Sequence, residues 1–133
     1  MNIKYFKNRS YKNSTGKLIP FTFNKKFPIK PKRIFYVFGK KNKIRGEHAH
    51  KKCSQFLFPL LGNFEIKIIN KKENKKFIAK SNKNIGFLVK PKTWLEIKFL
   101  SKFSVLMTVC DMNYDKKDYI ENFKEFKKFA GIK

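Results

Sequence analysis

Short apolar runs that alternate with polar residues or stop at turn signals recur along most of the chain, and they limit its fold more than any other feature. Arg33-Ile34-Phe35-Tyr36-Val37-Phe38 is β-branched and aromatic and stops at Gly39. Gln55-Phe56-Leu57-Phe58-Pro59-Leu60-Leu61 ends at Gly62-Asn63, and Phe64-Glu65-Ile66-Lys67-Ile68-Ile69 alternates with period two before a polar turn at residues 70–74. Those two runs read as a hairpin. Lys76-Phe77-Ile78-Ala79, Ile85-Gly86-Phe87-Leu88-Val89, Trp94-Leu95-Glu96-Ile97-Lys98-Phe99 and Ser104-Val105-Leu106-Met107-Thr108-Val109 follow, each closed by a turn. About seven strands at hairpin spacing predict an all-β jelly roll or barrel. Only the tail changes period. Ile120, Phe123 and Phe126 recur every three residues, Asp118 is placed to help start a helix, and Gly131 to end it.

With 133 residues the chain has length for one domain. The pattern divides it into an arm over 1–26, a barrel over 27–112 and a short C-terminal helix over 114–130. Sixteen phenylalanines, five tyrosines and one tryptophan supply a core despite a formal net charge of +24. Such a charge raises nucleic acid or an anionic surface as partner, but the lysines are spread over nearly every segment. Together with abundant Asn, Ile and Phe, that spread is the composition expected of an A/T-rich genome. Cys53 and Cys110 have no CxxC spacing and read as buried thiols. No segment approaches the ~20 apolar residues of a membrane span, and the run from Met1 to Lys7 lacks the apolar stretch of a signal peptide. The expectation is a soluble cytoplasmic protein.

The only two histidines stand in Arg45-Gly46-Glu47-His48-Ala49-His50. In a strand, residues two apart point to one face, so both imidazoles would project into one space. The spacing of Gly46, His48, His50, Gln55 and Gly62 resembles the first motif of the cupin fold, with Gln55 where a carboxylate is usual; Gly86 and Pro91 resemble part of the second motif. No histidine follows there, and Glu96 stands near the place of the last ligand. A catalytic metal wants three or four good donors, whereas Gln55 is a weak neutral one. The expectation is a site without metal or other cofactor, in which two imidazoles with ordinary pKa near ~6.5 move protons.

Four blocks together narrow the resemblance. They are Arg33 to Gly39, Arg45 to Lys52, Gly86 to Glu96 with its Pro91-Lys92-Thr93-Trp94, and the tail Tyr114-Asp115-Lys116-Lys117-Asp118-Tyr119-Ile120. Across residues 27–129 the chain resembles the dTDP-sugar 3,4-ketoisomerases. That resemblance implies a metal-free, homodimeric cupin that moves the carbonyl of dTDP-4-keto-6-deoxyglucose from C4 to C3 through an enediol. The product would pass to a PLP-dependent aminotransferase making a 3-amino-3,6-dideoxy sugar, with no nucleic acid or membrane partner.

The resemblance implies a role for each site residue. His50 is the base that takes the C3 proton, His48 its shuttle or orienter, and Tyr36 a phenol that bonds the sugar and supplies a proton. Arg33 and Arg45 are substrate contacts, the latter suited to the diphosphate. Trp94 either stacks on the nucleotide, walls the sugar pocket or belongs to the core. Gln55 and Glu96 would tune the histidines, and Lys51 and Lys52 would attract the diphosphate.

Two other readings stay open. A 3,5-epimerase cupin would act on the same substrate, but no His–Asp pairing is apparent in the sequence. A non-catalytic cupin would bind anions or nucleic acid through Lys25-Lys26-Phe27 and Phe126-Lys127-Lys128-Phe129. The stereochemistry at C4 of the product is not legible.

Overall fold

The computed structural model describes residues 3–133, so the first two residues of the expected arm lie outside the described residues. The strands are β1 (Lys4–Lys7), β2 (Tyr11–Asn13), β3 (Gly16–Leu18), β4 (Arg33–Gly39), β5 (Ile44–His50), β6 (Gln55–Leu61), β7 (Asn63–Ile69), β8 (Asn74–Lys80), β9 (Ile85–Val89), β10 (Trp94–Phe99), β11 (Ser104–Cys110) and β12 (Tyr119–Ile120). One helix, α1, spans Phe123–Ala130. Two five-stranded antiparallel sheets, ordered β1-β9-β6-β11-β4 and β12-β5-β10-β7-β8, face each other as a cupin jelly roll, and β2-β3 is a separate hairpin. No described helix is long and apolar enough to cross a membrane.

The period-two runs become strands because alternate residues meet in the space between the sheets. Leu57, Phe64, Ile66, Phe87, Ile97 and Leu106 share that interior. The central strands β6 and β11 are buried on both faces, which explains their nearly continuous apolar sequence. Their outer residues Phe56, Phe58, Met107 and Val109 are roofed by Ile19, Phe21, Phe27 and Ile29 of the arm. At the edge of the same sheet no described residue covers the outer face of β4, where Ile34, Tyr36 and Phe38 are 42%, 53% and 76% exposed.

The tail departs from the expected single helix over 114–130. Residues 116–118 form a turn of 3₁₀ helix, and Tyr119 and Ile120 pair with His50 and Ala49 as β12. The helix begins only at Phe123, where the Asn122 side chain accepts the Glu125 N–H at 3.0 Å, and ends at Gly131 in the left-handed region. The three-residue repeat is satisfied across this break. Ile120 and Phe126 both pack on Ala49, Ile69 and Trp94 from outside the barrel.

One irregularity positions the site. In the β5–β10 ladder His48 lies opposite Leu95, Gly46 opposite Glu96 and Arg45 opposite Ile97, with a bulge that leaves Glu47 as the extra residue. Gly46 and Glu47 both have positive φ, 86° and 52°. A regular strand would send Arg45 and His48, three apart, to opposite faces; the bulge absorbs one residue and turns both inward.

At Gly46 a Cβ would lie 2.8 Å from the carbonyl oxygen of Leu95, in a backbone conformation that favours glycine. Gly46→Ala is expected to cost about 1–3 kcal/mol, read as a lower denaturant midpoint with unchanged slope. A midpoint within about 0.5 kcal/mol of the parent would show that the bulge does not need glycine.

Candidate active site

The cleft at the mouth of the barrel has a volume of about 290 Å³. Its apolar walls come from Phe35, Val37, Leu57, Leu95 and Ile97, inward residues of the three strands β4, β6 and β10, and its polar groups are Arg45, His48, Gln55, Thr108, Tyr119 and Glu121. Such a mixture holds a sugar between apolar surfaces while a few convergent groups orient it.

The two histidines share a face, as their spacing requires, with ring centroids 5.0 Å apart. His48 stands at the cleft wall and His50, 5% exposed, lies behind it. Tyr119 covers both, its ring centre 4.3 Å from that of His50 and 5.2 Å from that of His48. Behind His50 the Asp118 carboxylate meets Nδ1 at 2.8 Å. Asp118 is itself buried, and it accepts the backbone N–H groups of Lys52 at 2.7 Å and Cys53 at 3.3 Å.

These contacts set the protonation states. For Asp118, burial pushes the pKa up, but the His50 hydrogen bond and the two amides together hold it below the usual carboxylate range. Burial keeps His50 below the ordinary imidazole range, against the Asp118 hydrogen bond. His48 is lowered for the same reason, opposed by a hydrogen bond to the Gly46 backbone and by Glu121. A neutral His50 facing an ionised carboxylate donates Nδ1–H to it, so its Nε2 carries the lone pair. Nε2 of His48 and of His50 are both buried without a hydrogen-bond partner among the described residues. Unpaired buried nitrogens of this kind are costly to keep, which marks them as groups that work on something else.

Arg33 joins this cluster from β4. Its Nη2 donates to the Tyr119 hydroxyl oxygen at 3.2 Å and to Cys110 Sγ at 3.6 Å, and its guanidinium lies on the rings of Phe35 and Tyr114. Because arginine can only donate, Tyr119 accepts there and keeps its own proton free. Gln55 lines the cleft with its Nε2 turned to Cys110 Sγ at 3.4 Å.

Several expectations need correction. Tyr36 points outward from β4 and is 53% exposed, because only the odd-numbered residues of that strand face the barrel; the tyrosine that lies against both histidines is Tyr119. Trp94 and Glu96 lie on the outer face of β10, opposite in parity to Leu95 and Ile97. Trp94 is 4% exposed beneath α1 and donates its indole N–H to Glu96 at 2.9 Å. Lys51 and Lys52 sit in the exposed turn after β5, outside the cleft lining. The His–Asp pair that the sequence did not reveal is present in Asp118, which starts no helix. In the sequence neither Asp118 nor Tyr119 carries a mark of chemistry beyond standing side by side in the tail block.

Among the described residues, no three His, Cys, Asp or Glu side chains converge on the barrel face to hold a metal. His48, His50 and the amide of Gln55 face inward, Gln55 is engaged with a thiol, and Glu96 is on the far side of its strand. Two imidazoles and a neutral amide are a poor donor set for a catalytic divalent ion.

Comparison with known proteins now bears on this geometry. The family described as FdtA: WxcM-like, C-terminal matches residues 1–131. A TDP-4-oxo-6-deoxy-alpha-D-glucose-3,4-oxoisomerase from Aneurinibacillus thermoaerophilus is 33% identical over 120 residues, 90% of this chain and 86% of that protein. QdtA, a sugar 3,4-ketoisomerase from Thermoanaerobacterium thermosaccharolyticum solved with TDP, superposes with a TM-score of 0.89 at 27% identity, over 98% of this chain and 95% of the other. A 3,4-ketoisomerase from Helicobacter canadensis gives 0.89 at 28% identity, over 98% of each chain. The chain belongs to the FdtA family of sugar 3,4-ketoisomerases, and is an isomerase.

Proposed function

We propose that this isomerase converts dTDP-4-keto-6-deoxyglucose to its 3-keto isomer by proton transfers among His50, His48 and Tyr119. The observation that carries the reading is the pair of partnerless imidazole nitrogens, one with its tautomer fixed by Asp118, beneath a phenol at the cleft. The C3 hydrogen is acidic because it neighbours the C4 ketone. His50, neutral with Nε2 bare, is the base that finally holds this proton, and His48 at the cleft wall shuttles it. Tyr119 gives its free proton toward the oxygen on C4, where negative charge develops, and Arg33 stabilises the phenolate left behind. The enediol then collapses: the O3 proton passes to the Tyr119 phenolate, the histidines return their proton to C4, and the carbonyl stands at C3. No atom is gained or lost.

Arg45, turned inward by the bulge, is placed at the cleft rim for the diphosphate. Gln55 is a wall of the sugar pocket. The nucleic-acid reading loses part of its stacking platform, because Phe126 is fully buried on the inner face of α1 and Phe27 packs on Phe56, which leaves Phe129 exposed. The proposal includes a homodimer, through the apolar stripe Ile34, Tyr36 and Phe38 on the open edge of the sheet. It also places the enzyme in the cytoplasm, ahead of a PLP-dependent 3-aminotransferase.

Five outcomes test this. Turnover of dTDP-4-keto-6-deoxyglucose, followed by NMR, is expected to survive thorough metal chelation. His50→Ala should remove nearly all of it while dTDP still binds, and retention of most activity would reassign the base. Asp118→Asn should lower kcat by about 10²–10⁴ through loss of the fixed tautomer, with near-parental dTDP affinity. Tyr119→Phe should lower kcat by about 10²–10⁴ whereas Tyr36→Phe leaves it near the parent; the reverse order would restore Tyr36 to the site. Finally, Phe38→Asp is expected to shift the sedimenting species from dimer to monomer, and an unchanged dimer would place the interface elsewhere.

A further inference from the structure

The proposed chemistry leaves one buried nucleophile unused beside the dyad. His50, Cys53 and Asp118 are all buried, and each offers a donor atom within 4.8 Å of the other two; the ring nitrogen of His50 that meets the carboxylate is Nδ1. The carboxylate is already aimed by the Lys52 and Cys53 N–H groups, which hold it from the backbone side. This cluster lies at Nδ1, the nitrogen of His50 turned away from His48 and the cleft, so it is distinct from the barrel face on which a cupin metal would sit.

We propose that His50, Cys53 and Asp118 form a site for a thiophilic divalent cation, Zn²⁺ above all, and that its occupation switches the enzyme off. One nitrogen, one thiolate and one carboxylate are a zinc donor set, with bonds of about 2.0–2.3 Å. In a tetrahedral site such bonds put donor atoms about 3.3–3.8 Å apart. The cluster therefore closes modestly around the ion, while the His50–Asp118 separation opens from its 2.8 Å.

The proton balance explains the inhibition. The Cys53 thiol gives its proton to solvent, the Asp118 carboxylate is already ionised, and the buried site with its ion carries no net charge. His50 keeps its single proton, but Nδ1 must be bare to bind the ion, so that proton moves to Nε2. The lone pair that would accept the substrate proton is gone. The ion takes the place of the shared proton and reverses the tautomer that Asp118 otherwise imposes.

The inhibitory half of this inference rests on the proposed role of His50; the binding half does not. Binding is read by titrating the full-length protein with Co²⁺, following thiolate-to-cobalt charge transfer in the near ultraviolet and its displacement by Zn²⁺. One equivalent is expected to give the band in the parent and none in Cys53→Ser, with Cys53→Ala as a second variant should the first not fold. Inhibition is read in turnover assays. Zn²⁺ should inhibit the parent reversibly by chelator, and Cys53→Ser, whose side chain takes no part in the chemistry, should keep its activity while its inhibition constant weakens about 100-fold or more. A parent without the band, or equal zinc sensitivity in both proteins, overturns the site. A band that depends on Cys53 with zinc-insensitive turnover leaves the site standing and overturns the switch. Loss of the assigned ketoisomerase activity in the parent itself would count against the proposed function alone, because the cobalt titration is read without substrate.

Discussion

The contact on which the rest of the site depends is the hydrogen bond between His50 and Asp118, made 68 residues apart and out of reach of solvent. It does three things at once. It chooses which imidazole nitrogen is bare, it satisfies a carboxylate that burial would otherwise protonate, and it anchors the tail to the barrel. The anchoring is reinforced by the Lys51 N–H, which donates to the Asp118 carbonyl at 2.8 Å, and by the two further amides on the carboxylate. Only with the tail held there can Tyr119 lie over both histidines and reach Arg33.

Charge explains why so basic a chain tolerates this arrangement. An excess of 24 positive charges raises the cost of adding another inside the barrel, and both imidazoles are accordingly held neutral by burial. Arg33 is the exception, and its guanidinium is spread over two aromatic faces, a hydroxyl and the sulfur of Cys110. The thiol beneath it answers by falling to about 6, through its contact with Cys53 and the donors Gln55 and Arg33, against burial. The interior thus shares its cation among soft partners and holds the Asp118 carboxylate against His50.

The strands and the histidine pair were legible because both obey a strict period of two, and the period is set by the backbone itself. What failed was parity across unseen boundaries. Tyr36, Trp94 and Glu96 were assigned to the cleft by likeness to family blocks, yet each stands at an outward position of a strand whose inward neighbours line it. Arg45 illustrates the converse: simple alternation from His48 would turn it outward, but the bulge overrides alternation and brings it into the cleft lining. Asp118 was hidden by an apolar spacing that suits one helix but is met by a two-residue strand and a helix packing on the same patch. A strand of two residues has no periodicity to detect. Its existence rests on partners about 70 residues upstream, which local sequence does not encode.

β4 carries a last consequence. It is a boundary with two owners: Phe35 and Val37 form part of the wall around the reacting sugar, while Ile34, Tyr36 and Phe38 between them face away toward open space. As the terminal strand of its sheet it has a hydrogen-bonded neighbour on one side only, so its backbone is the least braced part of that wall. Whatever settles on its outer side therefore stiffens the chamber from behind. Under the proposed dimer, assembly and catalysis are coupled through seven residues read alternately, inward by the substrate and outward by the second copy.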